Sequence, residues 1–394
     1  MKKALFILVL CWGCAAAMAQ NSASHVKDST DLFYQHLELN EVVVTGLTGS
    51  TRLKEMPSPV TLVSPRVLRS TPSTNIIGAI ARQGGISEIT TGGAISKPLI
   101  RGLGYNRVVV LVDGVRQEGQ QWGDEHGIEA DGAAVHSVEI LKGPASLMYG
   151  SDAMAGVMIF HPAPIAPAGT VNGEITAGYQ SNNGLWEHSL QTGGNKGGCV
   201  WDLRYSGKNA GAYRNSADGP VPNSGFTERA ASAMAGIGRK WGWSRLKFSL
   251  FSQRPGITEG ERDPLTGALE GDAYGSRPAL PFQKIEHYKI VSDNTFHLPG
   301  GSLKALLGWQ TNNRREYEDS PDDCGLYFRL NTLSYDIRYT GGKGRWKFAS
   351  GLGGMWQKSR NLGDEYLIPE YRLFDAGLFC TASLAAGQWS LSGG

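Results

Sequence analysis

Apolar positions along this chain follow two different periods. Between residues 57 and 163 they come in short continuous runs. Val108-Val109-Val110-Leu111-Val112 has no polar break, which predicts a strand buried on both faces, and Asp113-Gly114 supplies the turn after it. Val138-Glu139-Ile140-Leu141-Lys142 predicts another strand, closed by Gly143-Pro144, and Ser73 to Gln83 predicts a short helix with a Ser/Thr start. Together they predict a compact mixed α/β domain with its own core. After about residue 168 apolar and polar residues alternate, as in Gly173 to Tyr179, Val200 to Tyr205, Arg245 to Leu250 and Ser334 to Tyr339. A period of two puts apolar side chains on one face of a strand and polar ones on the other.

The connections between these strands sort by length. Short ones are expected near Gly193 to Gly198, Lys240 to Ser244, Pro299 to Gly301, Gly341 to Gly344 and Ala386 to Gln388. Long ones are expected at about 208–227, 254–286 and 315–325. A β-sandwich has no reason to sort its loops this way, whereas a transmembrane barrel has short turns at one rim and long loops at the other. Trp201, Trp241, Trp243, Trp346 and Trp389 near strand ends suit interfacial girdles. The pattern predicts about ten strands and the start of an eleventh. A barrel in a bilayer has to close on itself, so this count reads as the front half of something longer.

Composition agrees. Glycine is 53 of 394 residues, about 13% where about 7% is ordinary, with no collagen period. Aromatic content excludes wholesale disorder, and no apolar run is long enough for a helical membrane protein. Met1-Lys2-Lys3, the apolar run Ala4 to Leu10 and Ala17-Met18-Ala19 read as a signal peptide over 1–19, with Gln20 as the new terminus. Cys11 and Cys14 lack a convincing lipidation context. Without Lys2 and Lys3 the 38 basic residues become 36, equal to the acidic count, so there is no basic excess for a nucleic acid. Cys199, Cys324 and Cys380 remain, an odd count that allows at most one disulfide.

Three segments resemble a known family. Glu41-Val42-Val43-Val44-Thr45-Gly46 resembles a TonB box. Lys97-Pro98-Leu99-Ile100-Arg101-Gly102, with Val110 to Val115, resembles the plug signature. Val138 to Ser146, with Tyr149-Gly150-Ser151, resembles the second plug signature. In this order, behind a signal peptide and ahead of barrel patterning, the chain is similar to TonB-dependent outer-membrane receptors of the Bacteroidota type. The resemblance implies a mixed α/β plug domain followed by an antiparallel transmembrane β-barrel of about 22 strands, of which about the first half is present. It divides the chain into a signal peptide (1–19), a flexible periplasmic leader (20–38), the TonB box (39–46), the plug (47–167) and a partial barrel (168–394). It implies a place in the Gram-negative outer membrane, TonB with ExbB and ExbD as periplasmic partners, and energy-coupled import. TonB would take Glu41, Val42, Val43, Val44 and Thr45 as an added strand in its own sheet. Arg101, Gly102, Asp113, Gly114, Lys142, Gly143 and Pro144 would be structural plug residues. Only about 20 residues precede the box after processing, which leaves no room for a further N-terminal domain and favours a small importer of a metal or metal chelate.

The sharpest binding candidate is the segment from Gln120 to Asp131, expected on a plug loop facing the lumen. It resembles a loop of zinc- and copper-type receptors in which an Asp-His pair is followed by a further Asp. Here Glu125-His126 and Asp131 take those places, with Glu for Asp as a departure. Gln121, Trp122, Asp124, Glu125, His126 and Asp131 are the ligand candidates, and Glu125, His126 and Asp131 the metal candidates, since imidazole and carboxylates suit Zn²⁺ or Cu²⁺. The plainer reading is that these groups hydrogen-bond within the plug or to the wall. Met148, Met154 and Met158 are expected in packing. His188, His287 and His297 lie in barrel segments, where haem ligation is open. Arg101 and Arg107 are expected to pair with acidic barrel residues rather than contact ligand. No cofactor is required, no catalytic constellation is present, and the cargo is expected to be Zn, Cu or chelated Fe. Two alternatives remain: a receptor fragment that binds ligand or TonB without transport, and an unrelated secreted β-protein.

Overall fold

In the computed structural model, described over residues 43–44, 51–52, 59–258 and 261–394, the two periods become two sheets. After two-residue strands β1 (Val43–Val44) and β2 (Thr51–Arg52) come β3 (Val60–Val63), α1 (Pro65–Ser70) and α2 (Ile76–Ile80). A hairpin follows, β4 (Ile86–Thr91) with β5 (Ile95–Ile100). Then come β6 (Val108–Val112), β7 (Val115–Gln117), β8 (Ser137–Leu141) and β9 (Gly156–His161). Five strands form one sheet in the order β3-β8-β9-β6-β7, with β6 parallel to β9.

The unbroken apolar run of β6 has a direct cause. Val108 and Val110 face a core with Ile77, Ile80, Ile140 and Met158, while Val109 and Leu111 face a second core with Leu141, Val157 and Ile159. A strand covered on both faces has no position for a polar side chain. The helix expected over 73–83 is shorter, because Asn75 is its N-cap, accepting the Gly78 N–H at 2.8 Å, and Gly84-Gly85 lead directly into β4. The helix α1, not foreseen, carries a readable start: Ser64 caps it and Pro65 opens it.

The second sheet contains β10 (Val171–Gln180), β11 (Leu185–Lys196) and β12 (Cys199–Ala210). A small hairpin, β13 (Arg214–Asn215) and β14 (Gly219–Pro220), interrupts it. It continues through β15 (Phe226–Arg239), β16 (Gly242–Pro255), β17 (Phe282–Leu298) and β18 (Gly301–Tyr317). It ends with β19 (Leu326–Lys343), β20 (Trp346–Asn361), β21 (Tyr371–Ala386) and β22 (Trp389–Gly393). All eleven strands pair with their chain neighbours, and β10 and β22 are its edges among the described residues. Short turns such as Lys240-Trp241 and Pro299-Gly300 gather at one end, and the segments 211–225, 256–281, 318–325 and 362–370 at the other. The expected sorting is present.

Residues paired directly across antiparallel strands share a face. On the outer face Phe248, Ile290, Trp309, Leu333, Trp356 and Phe374 form one exposed row across β16 to β21. The next two rows toward the short turns, through Leu246 and Leu307 and through Ala305 and Ile337, hold no charged residue. Trp241, at the short-turn end, stacks on Phe296 at 5.7 Å, as a girdle residue should. Trp243 departs from that expectation: it lies on the inner-face register, with the Arg245 guanidinium 3.8 Å over its ring.

Candidate functional site

The site grows from the end of β6. Asp113 and Gly114 both have positive φ, 56° and 82°, the two-residue turn whose twist matches a hairpin. That turn aims the Asp113 carboxylate at Lys289 on β17 (2.8 Å) and Lys247 on β16 (3.5 Å). Burial alone would raise the Asp113 carboxyl, but the two lysines outweigh it and hold it well below the usual range.

From there the segment 114–126 runs along the inner face of β18, in the same direction, and 127–129 double back to Arg314. Val115 packs with Leu306 and Val291, and a Cβ on Gly308 would run into the Val115 side chain. Gln310 donates to the Arg116 carbonyl at 2.7 Å. Gly119 comes close to Asn312 and Glu129. Arg314, fully buried, holds Glu129 at 2.5 Å and Gln283 Oε1 at 2.8 Å, and His287 stands 3.5 Å from Glu129. Burial would raise the Glu129 carboxyl, but the His287 hydrogen bond and Arg314 bring it down to about 2. At the top, His126 Nε2 and Glu316 Oε1 are 2.7 Å apart, and Gln283 donates to both Glu316 (2.8 Å) and the Glu125 carbonyl (3.1 Å).

The apex of the segment points toward the long loops. Trp122 packs on Phe328 at 5.1 Å and edge-on to His126 at 5.9 Å. Lys97, almost fully buried, donates to the Gly123 carbonyl, and Asp124 stands 3.8 Å from it with 62% of its side chain exposed. Burial lowers the Lys97 ammonium to about 8 against the pull of Asp124 and Glu125. Tyr105, in a left-handed conformation at φ 58°, donates its hydroxyl to Asp124. The His126 imidazole is pushed down by burial and by Arg314, against the hydrogen bond to Glu316.

Other expected residues lie elsewhere. Asp131 accepts the Ala133 N–H at 3.0 Å and caps the turn Gly132–Ala134, so it does not join Glu125 and His126. Among the described residues no three His, Cys, Asp or Glu side chains form a metal-holding group. Gln121 belongs to the turn Gly119–Gln121. Arg101 (φ 52°) and Gly102 (φ 80°) form a turn at the end of β5, with the Arg101 N–H on the Gly85 carbonyl at 3.0 Å. Lys142 donates to the Gly84 carbonyl at 3.3 Å, and Gly143 (φ 77°) opens the turn Gly143–Tyr149 containing Pro144. Val43 and Val44 make β1, whereas Glu41, Val42 and Thr45 lie outside the described residues. The three histidines diverge: His188 lies against Tyr205, His287 against Glu129, and His297 near Ser302. Met158 is core, while Met154 is 73% exposed. Cys199, Cys324 and Cys380 are free.

The charge pairing expected of Arg101 and Arg107 is not made by them. Arg101 and Arg107 are exposed rather than set against acids of the long strands, and Arg116 pairs within its own domain with Glu118 (2.7 Å) and Asp152 (2.7 Å). Asp113 and Glu129 of the mixed domain meet bases of the large sheet, while Arg69 meets Glu174 of β10 at 3.4 Å. Glu129, Lys97 and Tyr105 join the site although none was among the expected ligand residues. Glu129 stood in the sequence segment without distinction, since its partner is 185 residues away.

A sequence model described as the TonB-dependent Receptor Plug Domain matches residues 52–157, the β2-to-β9 region. Residues 52–157 are a TonB-dependent receptor plug domain. An iron-regulated outer membrane virulence protein of Vibrio cholerae is 32% identical over 124 residues, covering 30% of this chain and 19% of that protein. A hemin receptor of Yersinia pestis is 29% identical over 217 residues, covering 53% of this chain and 30% of that protein. Among solved structures, the FrpB iron transporter of Neisseria meningitidis superposes with a TM-score of 0.68 at 17% identity, over 84% of this chain and 57% of that one. The copper transporter OprC gives 0.68 at 14%, over 88% and 54%. The chain thus spans about half the length of these solved structures and less of the curated relatives. In its terms, the five-stranded sheet is the plug, the eleven strands are part of the transmembrane barrel, and the ladder along β18 joins plug to wall.

Proposed function

We propose that this receptor chain serves energy-coupled import of a metal chelate across the outer membrane, with the long loops outward and the short turns in the periplasm. The observation that supports it is the apex of the plug. Its ionisable groups facing the wall are already partnered, while Asp124 stays open to solvent beside Tyr105. A bare Zn²⁺ or Cu²⁺ needs three or four protein ligands, yet His126 Nε2 is taken by Glu316 and Asp131 by a turn. A chelate brings its own ligands and asks the protein only for hydrogen bonds and stacking, which Tyr105, Trp122 and Asp124 can offer. Hemin, named for the similar Yersinia pestis receptor, is a chelate of this class.

Periplasmic TonB, with ExbB and ExbD, would engage the segment around Val43 and Val44 by strand addition. Proline at 43 removes a ladder donor. In cells lacking the native copy, Val43→Pro should abolish uptake of labelled ferric chelates and of haem while binding persists. Asp124→Asn with Tyr105→Phe should weaken binding itself. Uptake that survives Val43→Pro would overturn the coupled-import reading.

A further inference from the structure

The outer face of the barrel strands carries a charge pattern that neither the plug nor a cargo uses. Above the row from Phe248 to Phe374, toward the long loops, outward positions become basic within two to six residues. Lys358 stands directly opposite Arg372, and Arg329 opposite Arg360. Lys284 faces Arg315 across β17 and β18, while Arg229 and Arg254 lie on β15 and β16 in the same band. Against these eight cations the band holds Glu286, bonded to Arg315 at 2.8 Å, and Glu370, which accepts the Asn361 N–H at 3.1 Å.

Like charges placed directly opposite on adjacent strands are destabilising. Burying apolar area cannot explain them, since Arg254, Lys284, Arg329, Arg360 and Arg372 are exposed. Several guanidinium groups are also pre-positioned. Arg254 lies 3.9 Å over Phe282, itself stacked on Tyr317 at 4.7 Å, and Arg315 and Arg329 share the Tyr327 hydroxyl. Directly below come three rows without a charge, which suit hydrocarbon.

We propose that this band on β15 to β21 is a docking surface for the phosphate groups of an anionic outer-leaflet lipid, whose acyl chains lie on the apolar row beneath. Arginine forks match phosphate oxygens two at a time, and lysines add point charge. The partner is a lipid rather than an acidic protein because the cations continue directly from rows that only acyl chains would cover. The inference requires the strands to stand in an outer membrane but requires no particular cargo.

The test uses the full chain in neutral detergent. Native mass spectrometry would measure binding of a bis-phosphorylated glycolipid and of the same lipid with its phosphates removed, with inorganic phosphate as competitor. The variant is Arg329→Gln with Lys358→Gln and Arg372→Gln, which removes like-charge neighbours and so should leave melting unchanged or raised. Loss of affinity for the phosphorylated lipid on the order of a hundredfold, about fivefold for each cation, is expected. Unchanged affinity in the variant, or equal binding of the dephosphorylated lipid, overturns the proposal. So does displacement of the lipid by inorganic phosphate at equal concentration, which would mean a free-anion site. Binding of neither lipid overturns it as well.

Discussion

β6 and β18 are both interior strands of their sheets, each paired on both sides, yet they are held by different forces. β6 is apolar on both faces and sits between two hydrocarbon cores. β18 is apolar outward at Leu307 and Trp309 and polar inward at Gln310, Asn312 and Arg314. The plug is therefore stabilised within itself by packing, and against the wall largely by hydrogen bonds and ion pairs. The first kind of contact is indifferent to pH and cannot be rearranged piecemeal. The second kind has partners that can be exchanged for water one at a time.

The sharpest way to break that contrast is Arg314→Ala. It strands the buried Glu129 and should cost about 3–5 kcal/mol, read as lowered thermal stability. Glu129→Gln in the same background should recover part of the loss, which would locate the cost in an uncompensated charge. Ile140→Ala, in the core shared with β6, should cost about 2–4 kcal/mol with no recovery from any change on β18. Gly308→Ala should cost about 1–3 kcal/mol, because the new methyl meets Val115 while the outer face of β18 is untouched.

Acid gives the mildest test. Glu129 and Asp113 have folded values below their unfolded ones, so their contribution is complete above about pH 4.5 and is lost as pH falls toward about 2. His126 is also lowered, so its neutral form favours the fold and its contribution declines as pH falls below about 6.5. Melting followed from pH 7 to pH 3 should fall in both steps for the native chain. The upper step should be missing in His126→Gln, and the Ile140→Ala deficit should stay constant throughout.

What could be read beforehand follows the range of each interaction. The Val108 to Val112 run, the Asp113-Gly114 turn and the alternation of β19 are local, and each stands where its residues predicted. Nothing local says that Gly119 will come to rest beside Asn312, or that His126 will face Glu316, 190 residues on. Those contacts depend on how far the plug segment slides along a strand whose period repeats every two residues. A metal trio drawn from Glu125, His126 and Asp131 assumed that neighbours in sequence share a destination. The turn capped by Asp131 sends them to different ones. Which charges would pair was equally out of reach, because acids and bases are nearly equal in number.

The contacts between residues 115 and 126 and β18 run lengthwise, in one direction, from Leu306 to Glu316, before Gly127 and Glu129 turn back to Arg314. A tether pulling parallel to that strand would strain every rung at once, in shear. A tether lifting one end away from the wall would peel the rungs in sequence, each opening at the strength of a single contact. The same seam is thus stiff along one axis and weak along another, so the angle of a pull decides whether the plug holds or comes away.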